Sequence, residues 1–164
     1  MVDPMLTFRR PTAEDIADLA AHMRDADVDE VLAASGDNPT VALERAVAAS
    51  SECCVARLST GVLCIWGVVP MPPATALGPR VGAVWMLTSD LVDLCPLVFW
   101  RGCKTVIRDL VSRWDLLCNA IDCRHEKALR WAARLGLRLG DPEVWGHARL
   151  PFRLFALKRE NLRV

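Results

Sequence analysis

Cys118, Cys123 and His125 fall close together, and thiols beside an imidazole can bind a metal or pass protons. Zinc sites recur with set ligand spacings and usually a second ligand pair. This cluster has neither, so no metal site is expected. The seven cysteines are odd in number and show no disulfide rhythm, and Cys53 and Cys54 are adjacent. They suit buried thiols that pack as small apolar groups in a reducing cytoplasm. Ser89 and His125 remain as candidates for catalytic proton or nucleophile chemistry. Asp90 and Asp122 read as caps before helices, a role that Ser89 can also take.

Those residues need elements to hold them. LTFRRPT (6–12) reads as a first strand, after which Thr12 and Asp15 form a capping-box pattern. Ile16, Leu19, Ala20 and Met23 then share one helical face. A second helical region holds Val28, Val31 and Leu32, and Asn38-Pro39 starts another that runs to about Ala49. ECCVARLS (52–59) and VLCIWGVVP (62–70) read as a hairpin turned at Thr60-Gly61, and MPPATALGPR (71–80) as an exposed loop. GAVWMLTS (82–89) is the next strand, and Pro96 opens a helix to Trp114. A strand at 116–121 follows, then a helix near 124–135 capped by Asp122. Ala128, Trp131, Ala132 and Leu135 form its inward stripe and Gly136 its stop. GDPEVWGH (140–147) reads as loop and LPFRLFALKR (150–159) as a closing strand. The order is written β-α-α-β-β-β-α-β-α-β: one α/β domain over 1–164, its mostly antiparallel sheet flanked by helices.

Composition limits the function. The chain has 164 residues, 52% of them hydrophobic, yet no apolar run long enough to span a membrane and no secretory-signal pattern. The apolar excess therefore belongs to a tight core or a protein contact surface. Twenty basic and twenty acidic residues cancel, which gives no footprint for nonspecific nucleic-acid binding. Of the six tryptophans, Trp66, Trp85, Trp114 and Trp131 fall on inward stripes. Trp100 and Trp145 lie in less regular surroundings that suit an interface.

The element order resembles the GNAT superfamily of acyl-coenzyme A-dependent N-acyltransferases. HEKALRWAARLGL is similar to that family's N-x-x-A-x-x-x-Y-x-x-x-G-F: His125 takes the asparagine place, Ala128 matches, Ala132 replaces tyrosine, and Gly136-Leu137 stand for Gly-Phe. A narrower pattern is similar to the GNAT-like internal virion proteins of short-tailed bacteriophages. It is carried by Trp85, Thr88, Ser89, Asp90, Asn119, Ile121, Arg130, Leu135, Gly136, Phe152, Leu154 and Phe155, and the likeness covers roughly residues 52–159.

The resemblance implies a GNAT fold whose fourth and fifth strands splay to admit the pantetheine arm of acetyl-CoA. It also implies a glycine-rich diphosphate turn and a tyrosine acid. Its cofactor-binding positions here are Trp85, Leu87, Thr88, Arg101, Gly102, Lys104 and Asn119, with the Leu87 amide near the oxyanion. Lys104 and Val106 stand where the turn wants glycines, the plainer reading puts Arg101–Val106 inside a helix, and the chain has no tyrosine. The expectation is a virion-associated protein that acts through contacts with other phage virion proteins in an oligomeric assembly. It would reside in the virion and, during infection, in the bacterial host cytoplasm. Acyltransferase activity would be lost and no cofactor required. The alternative is an acyl-CoA-dependent N-acetyltransferase of a phage or prophage that modifies a host protein or small amine.

Overall fold

A computed structural model describes residues 6–73, 75–158 and 160. Its elements are β1 (Thr7–Arg9), α1 (Ala13–Ala21), α2 (Asp25–Ser35), α3 (Pro39–Ala49), β2 (Glu52–Leu58), β3 (Gly61–Met71) and β4 (Val81–Thr88). A short 3-10 helix (Asp90–Leu94) leads into α4 (Pro96–Arg113), β5 (Leu116–Asp122), α5 (Glu126–Arg134), β6 (Arg138–Trp145) and β7 (Leu150–Leu157). The strands form one seven-stranded sheet in the order β1-β2-β3-β4-β5-β7-β6, antiparallel except where β4 meets β5. It is a mixed α/β fold, as the residue pattern implies. Among the described residues no helix is long and apolar enough to cross a membrane.

Local chemistry sets most boundaries. Thr12 and Asp15 form a reciprocal capping box, and Asn38 caps α3 through the Val41 amide with Pro39 in the first turn. Gly136, at φ +89°, releases the chain from α5 in a conformation that a side chain would strain. Asp122 does not cap α5. The His125 side chain does, by accepting from the Ala128 amide, while Asp122 holds Arg124.

Two corrections concern whole elements. The three helical regions before β2 form three separate helices, where the order β-α-α-β-β-β-α-β-α-β counts two. The segment expected to be loop at 140–147 contains most of β6. Its Gly140, Asp141 and Pro142 resemble a turn, but β6 is an edge strand paired only with β7. A register irregularity between Leu139 and Pro142 accommodates the missing ladder donor.

The helices cover both faces. Ile16 and Leu19 of α1, Met23 of the link that follows, Val31 of α2 and Leu43 of α3 pack on Val55, Ile65 and Leu87. On the other face Leu110, Val111 and Trp114 meet Val68, Leu117 and Leu157, while Ala132 of α5 meets Ile121 and Phe155. The β6–β7 turn anchors the far end of α2: His147 and Ala148 donate backbone hydrogen bonds to Ala34 and Ala33. A Cβ at Gly146 would lie 2.7 Å from the Ala33 carbonyl oxygen, so only glycine permits that approach.

Candidate active site

The β4–β5 ladder covers Val81↔Leu116, Gly82↔Leu117 and Ala83↔Cys118, then stops. At the point of parting the Asn119 side chain replaces the ladder. Its Nδ2 donates to the Val84 carbonyl at 3.0 Å, and its Oδ1 accepts from the Ala120 amide at 2.8 Å. Beyond it the strands diverge into a gap.

The antiparallel pairing of β4 with β3 decides which peptide groups face that gap. The Ser89 amide donates to Leu63, so by alternation Leu87 and Trp85 also turn their peptides to β3. Val84, Met86 and Thr88 turn theirs outward. The Leu87 amide therefore does not face the gap, contrary to expectation. Met86 supplies the edge available to an added extended chain. Trp85 directs its indole Nε1 to the Ser50 hydroxyl at 2.9 Å, toward α3.

One end of the gap is closed by α2. The Arg24 amide donates to the Thr88 carbonyl, and Asp27 Oδ2 accepts from both the Thr88 amide and hydroxyl at 2.7 Å. The other oxygen of this buried Asp27 carboxyl meets His125 Nε2 at 2.7 Å. Burial alone would lower the His125 pKa. The Asp27 hydrogen bond and charge, with the charge of Glu30, outweigh it and raise the pKa. Both imidazole nitrogens are engaged, so His125 joins α5 to α2 rather than presenting a free base.

One turn along α2, Glu30 accepts from the Asp122 amide at 3.0 Å. Burial pushes its carboxyl up to about 7 against that hydrogen bond. Neighbouring Asp122 behaves oppositely: burial would raise it, but hydrogen bonds from Arg124 hold it below the usual range. Glu30 is thus a cleft-lining carboxylate that can accept a proton near neutrality. Sequence reasoning named neither Asp27 nor Glu30. Ser89 is buried, and its hydroxyl donates to the Val62 carbonyl at 2.6 Å and accepts from Leu91, leaving it no free face. The Cys118 thiol meets Met71 Sδ and the His125 imidazole meets Asp27, so these two groups turn to different partners.

Around this polar end lies a largely apolar cleft of about 770 Å³, walled by α2, α4 and α5. Phe99 of α4 stacks on Trp131 of α5 with ring centroids 5.4 Å apart, and Trp100 meets Trp131 edge-on at 6.2 Å. Ala132 is 2% exposed and packs in the core. Asp93 ties three elements at the rim: it pairs with Arg24 at 3.2 Å and with Lys127 at 3.6 Å.

The fit to coenzyme A is divided. The Met86 peptide, turned to the gap beyond the end of the ladder, offers a backbone donor and acceptor to an extended amide-bearing arm. The nucleotide diphosphate does not fit, because Arg101, Gly102 and Lys104 lie within α4 and not in a turn at its start. A Cβ built on Gly102 meets nothing within 4 Å, so no packing contact in the fold requires a glycine at that helical position. The actual start of α4 offers Pro96, which lacks an amide proton, behind acidic Asp90 and Asp93.

The structure carries the fold of the GNAT acetyltransferases. It is similar to an aminoglycoside N(6')-acetyltransferase from Legionella pneumophila subsp. pneumophila str. Philadelphia 1, with TM-score 0.71, 10% identity, and coverage of 96% of this chain and 94% of that one. An N-acetyltransferase from Staphylococcus aureus Mu50 superposes with TM-score 0.67 at 12% identity over 93% and 98% of the two chains. For an acetyltransferase of GNAT family from Streptococcus pneumoniae the values are 0.60, 11%, 93% and 98%. At such identities the likeness is one of fold. No family model matches the sequence, and no curated protein matches it. The three structures named are acetyltransferases, and none of them supports the narrower likeness to phage virion proteins.

Proposed function

We propose that this protein binds an acyl thioester in the gap between β4 and β5 and transfers the acyl group to an amine. The observation that carries the reading is Glu30, a carboxyl poised at about 7, in the cleft where the ladder parts and the Met86 edge lies open. The thioester arm would lie along Met86 as an added strand. The amine nitrogen attacks the thioester carbonyl carbon, forming C–N as C–S breaks. Glu30 takes the amine proton, and the thiolate, lacking a tyrosine acid, takes its proton from water at the open rim. Asp27 and His125 position α2 and α5 around that event.

Octanoyl-pantetheine and a panel of primary amines test this. Thiol release should rise with pH through about 7 as Glu30 ionises. Glu30→Gln should lose that inflection and about 100-fold in kcat. Absence of thiol release with every amine at millimolar donor would rule the reading out.

A second reading is favoured by another observation. Leu94 and Leu97 are 77% and 70% exposed beside the start of α4, near which the fold's enzymes would hold a diphosphate. A virion-associated protein that works only through contacts would expose such residues to a partner. It would turn over no thioester, and mass spectrometry would find it in purified phage particles.

A further inference from the structure

The split fit of the cleft raises the question of what carries the acyl group. Thioesters on an extended amide-bearing arm travel on a nucleotide or on a serine of a small, acidic, helical carrier protein. The start of α4 lacks the turn of free amides that the first needs: Pro96 has no amide proton, and exposed Leu94 and Leu97 flank it.

The outer face of α4 suits the second. Leu97, Arg101, Lys104 and Arg108 recur at helical spacing and are all exposed, on the side of α4 turned away from buried Leu110. The stripe is roughly 16 Å long, the length of a short helix laid against it. Among the described residues the neighbouring cations are matched, Arg113 by Glu52 and Asp109, and Lys127 by Asp93. Arg101, Lys104 and Arg108 have no acidic partner. The stripe begins at Leu97, which also lines the cleft. A protein docked there would hold its arm at the rim, pointed toward Met86.

We infer that the acyl donor is an acyl-carrying acidic carrier protein, docked on the Leu97–Arg108 face of α4 by complementary charge. The inference rests on the thioester reading of the gap. It adds the identity of the donor and a surface outside the catalytic machinery. Such a contact is small and exposed, so it should be weak, fast and sensitive to salt.

Fluorescence anisotropy of a labelled, octanoyl-charged acyl carrier protein from a dissociated fatty-acid system tests it without requiring turnover. At low salt the expected Kd is in the tens of micromolar, weakening about tenfold by ~300 mM NaCl. Arg101→Glu/Lys104→Glu/Arg108→Glu, all on the solvent face, should keep the wild-type melting temperature and lose binding by about tenfold or more. The same variant should use octanoyl-pantetheine as well as wild type does. No saturable binding to about 200 µM, unchanged binding by the triple variant, or tighter binding of octanoyl-CoA than of the carrier would overturn the inference. Carrier binding without transfer from any thioester would leave the docking surface standing and remove the transfer reaction. Transfer from octanoyl-pantetheine without carrier binding would do the reverse.

Discussion

From Val81 to Ala83, β4 meets β5 backbone to backbone. From Val84 to Thr88, the same edge has no partner strand and meets the Asn119 and Asp27 side chains and the Arg24 amide instead. The closed half is fixed by packing. A Cβ at Gly82 would lie 2.4 Å from Val68 Cγ1 and 3.0 Å from the Trp114 ring, so the absent side chain is what lets the strands and α4 close. Trp114 is held in turn by its Nε1 bond to Glu52 at 2.8 Å and by the Arg80 guanidinium 5.0 Å from its ring centroid. The open half has the reverse character. Its exposed peptides are satisfied by Asn119 and Asp27, and the space between is left to a ligand. A sheet can therefore hold a slot in its interior only where polar side chains take over the duties of the missing ladder.

The contrast is broken most severely at Gly82. Gly82→Val should cost about 3 kcal/mol by overpacking, read as a lowered urea midpoint with unchanged m-value. A loss below about 1 kcal/mol would mean that the closed half adapts as freely as the open one.

Asp27→Ala comes next. It strips the Thr88 amide and hydroxyl and the His125 imidazole of one shared partner, and should cost about 2 kcal/mol. Hydrogen exchange should show the loss concentrated at Thr88 and the α2–α5 contact. Uniform loss across the sheet would contradict the local role.

The mildest change is Asn119→Ala, which removes both side-chain hydrogen bonds at the parting point, to the Val84 carbonyl and from the Ala120 amide. The expected cost is about 1 kcal/mol, with faster amide exchange at Ala120. An unchanged Ala120 exchange rate would show that the bridge does not set where the ladder ends.

Much of this was legible beforehand because its causes are local. The Thr12–Asp15 box, the Asn38-Pro39 start and the Gly136 stop each depend on a few adjacent residues, and all three form. The long α4 was readable for the same reason, and with it the placement of Arg101 to Val106 inside a helix. β6 was not, because an exposed edge strand has no buried alternation to announce it. Asp27 and Glu30 were hidden differently. On α2 they look like the solvated acidic face of any helix. The signal that could have found them is their one-turn spacing beside Val31, which buries the same side of α2.

The sequence by itself determined the kinds and approximate limits of most elements, the two-sided burial of the sheet and the lack of a phenolic acid, since hydrophobic period, caps and composition act over short range. Only the tertiary structure decided where the β4–β5 ladder ends, which peptides face the gap, and that Glu30 sits at about 7. Those outcomes depend on contacts such as Asp27 with Thr88 and with His125, which join residues 61 and 98 positions apart. A carboxyl's affinity for its proton is set by the dielectric and charges that such distant segments bring to it, and these exist only once the chain has folded.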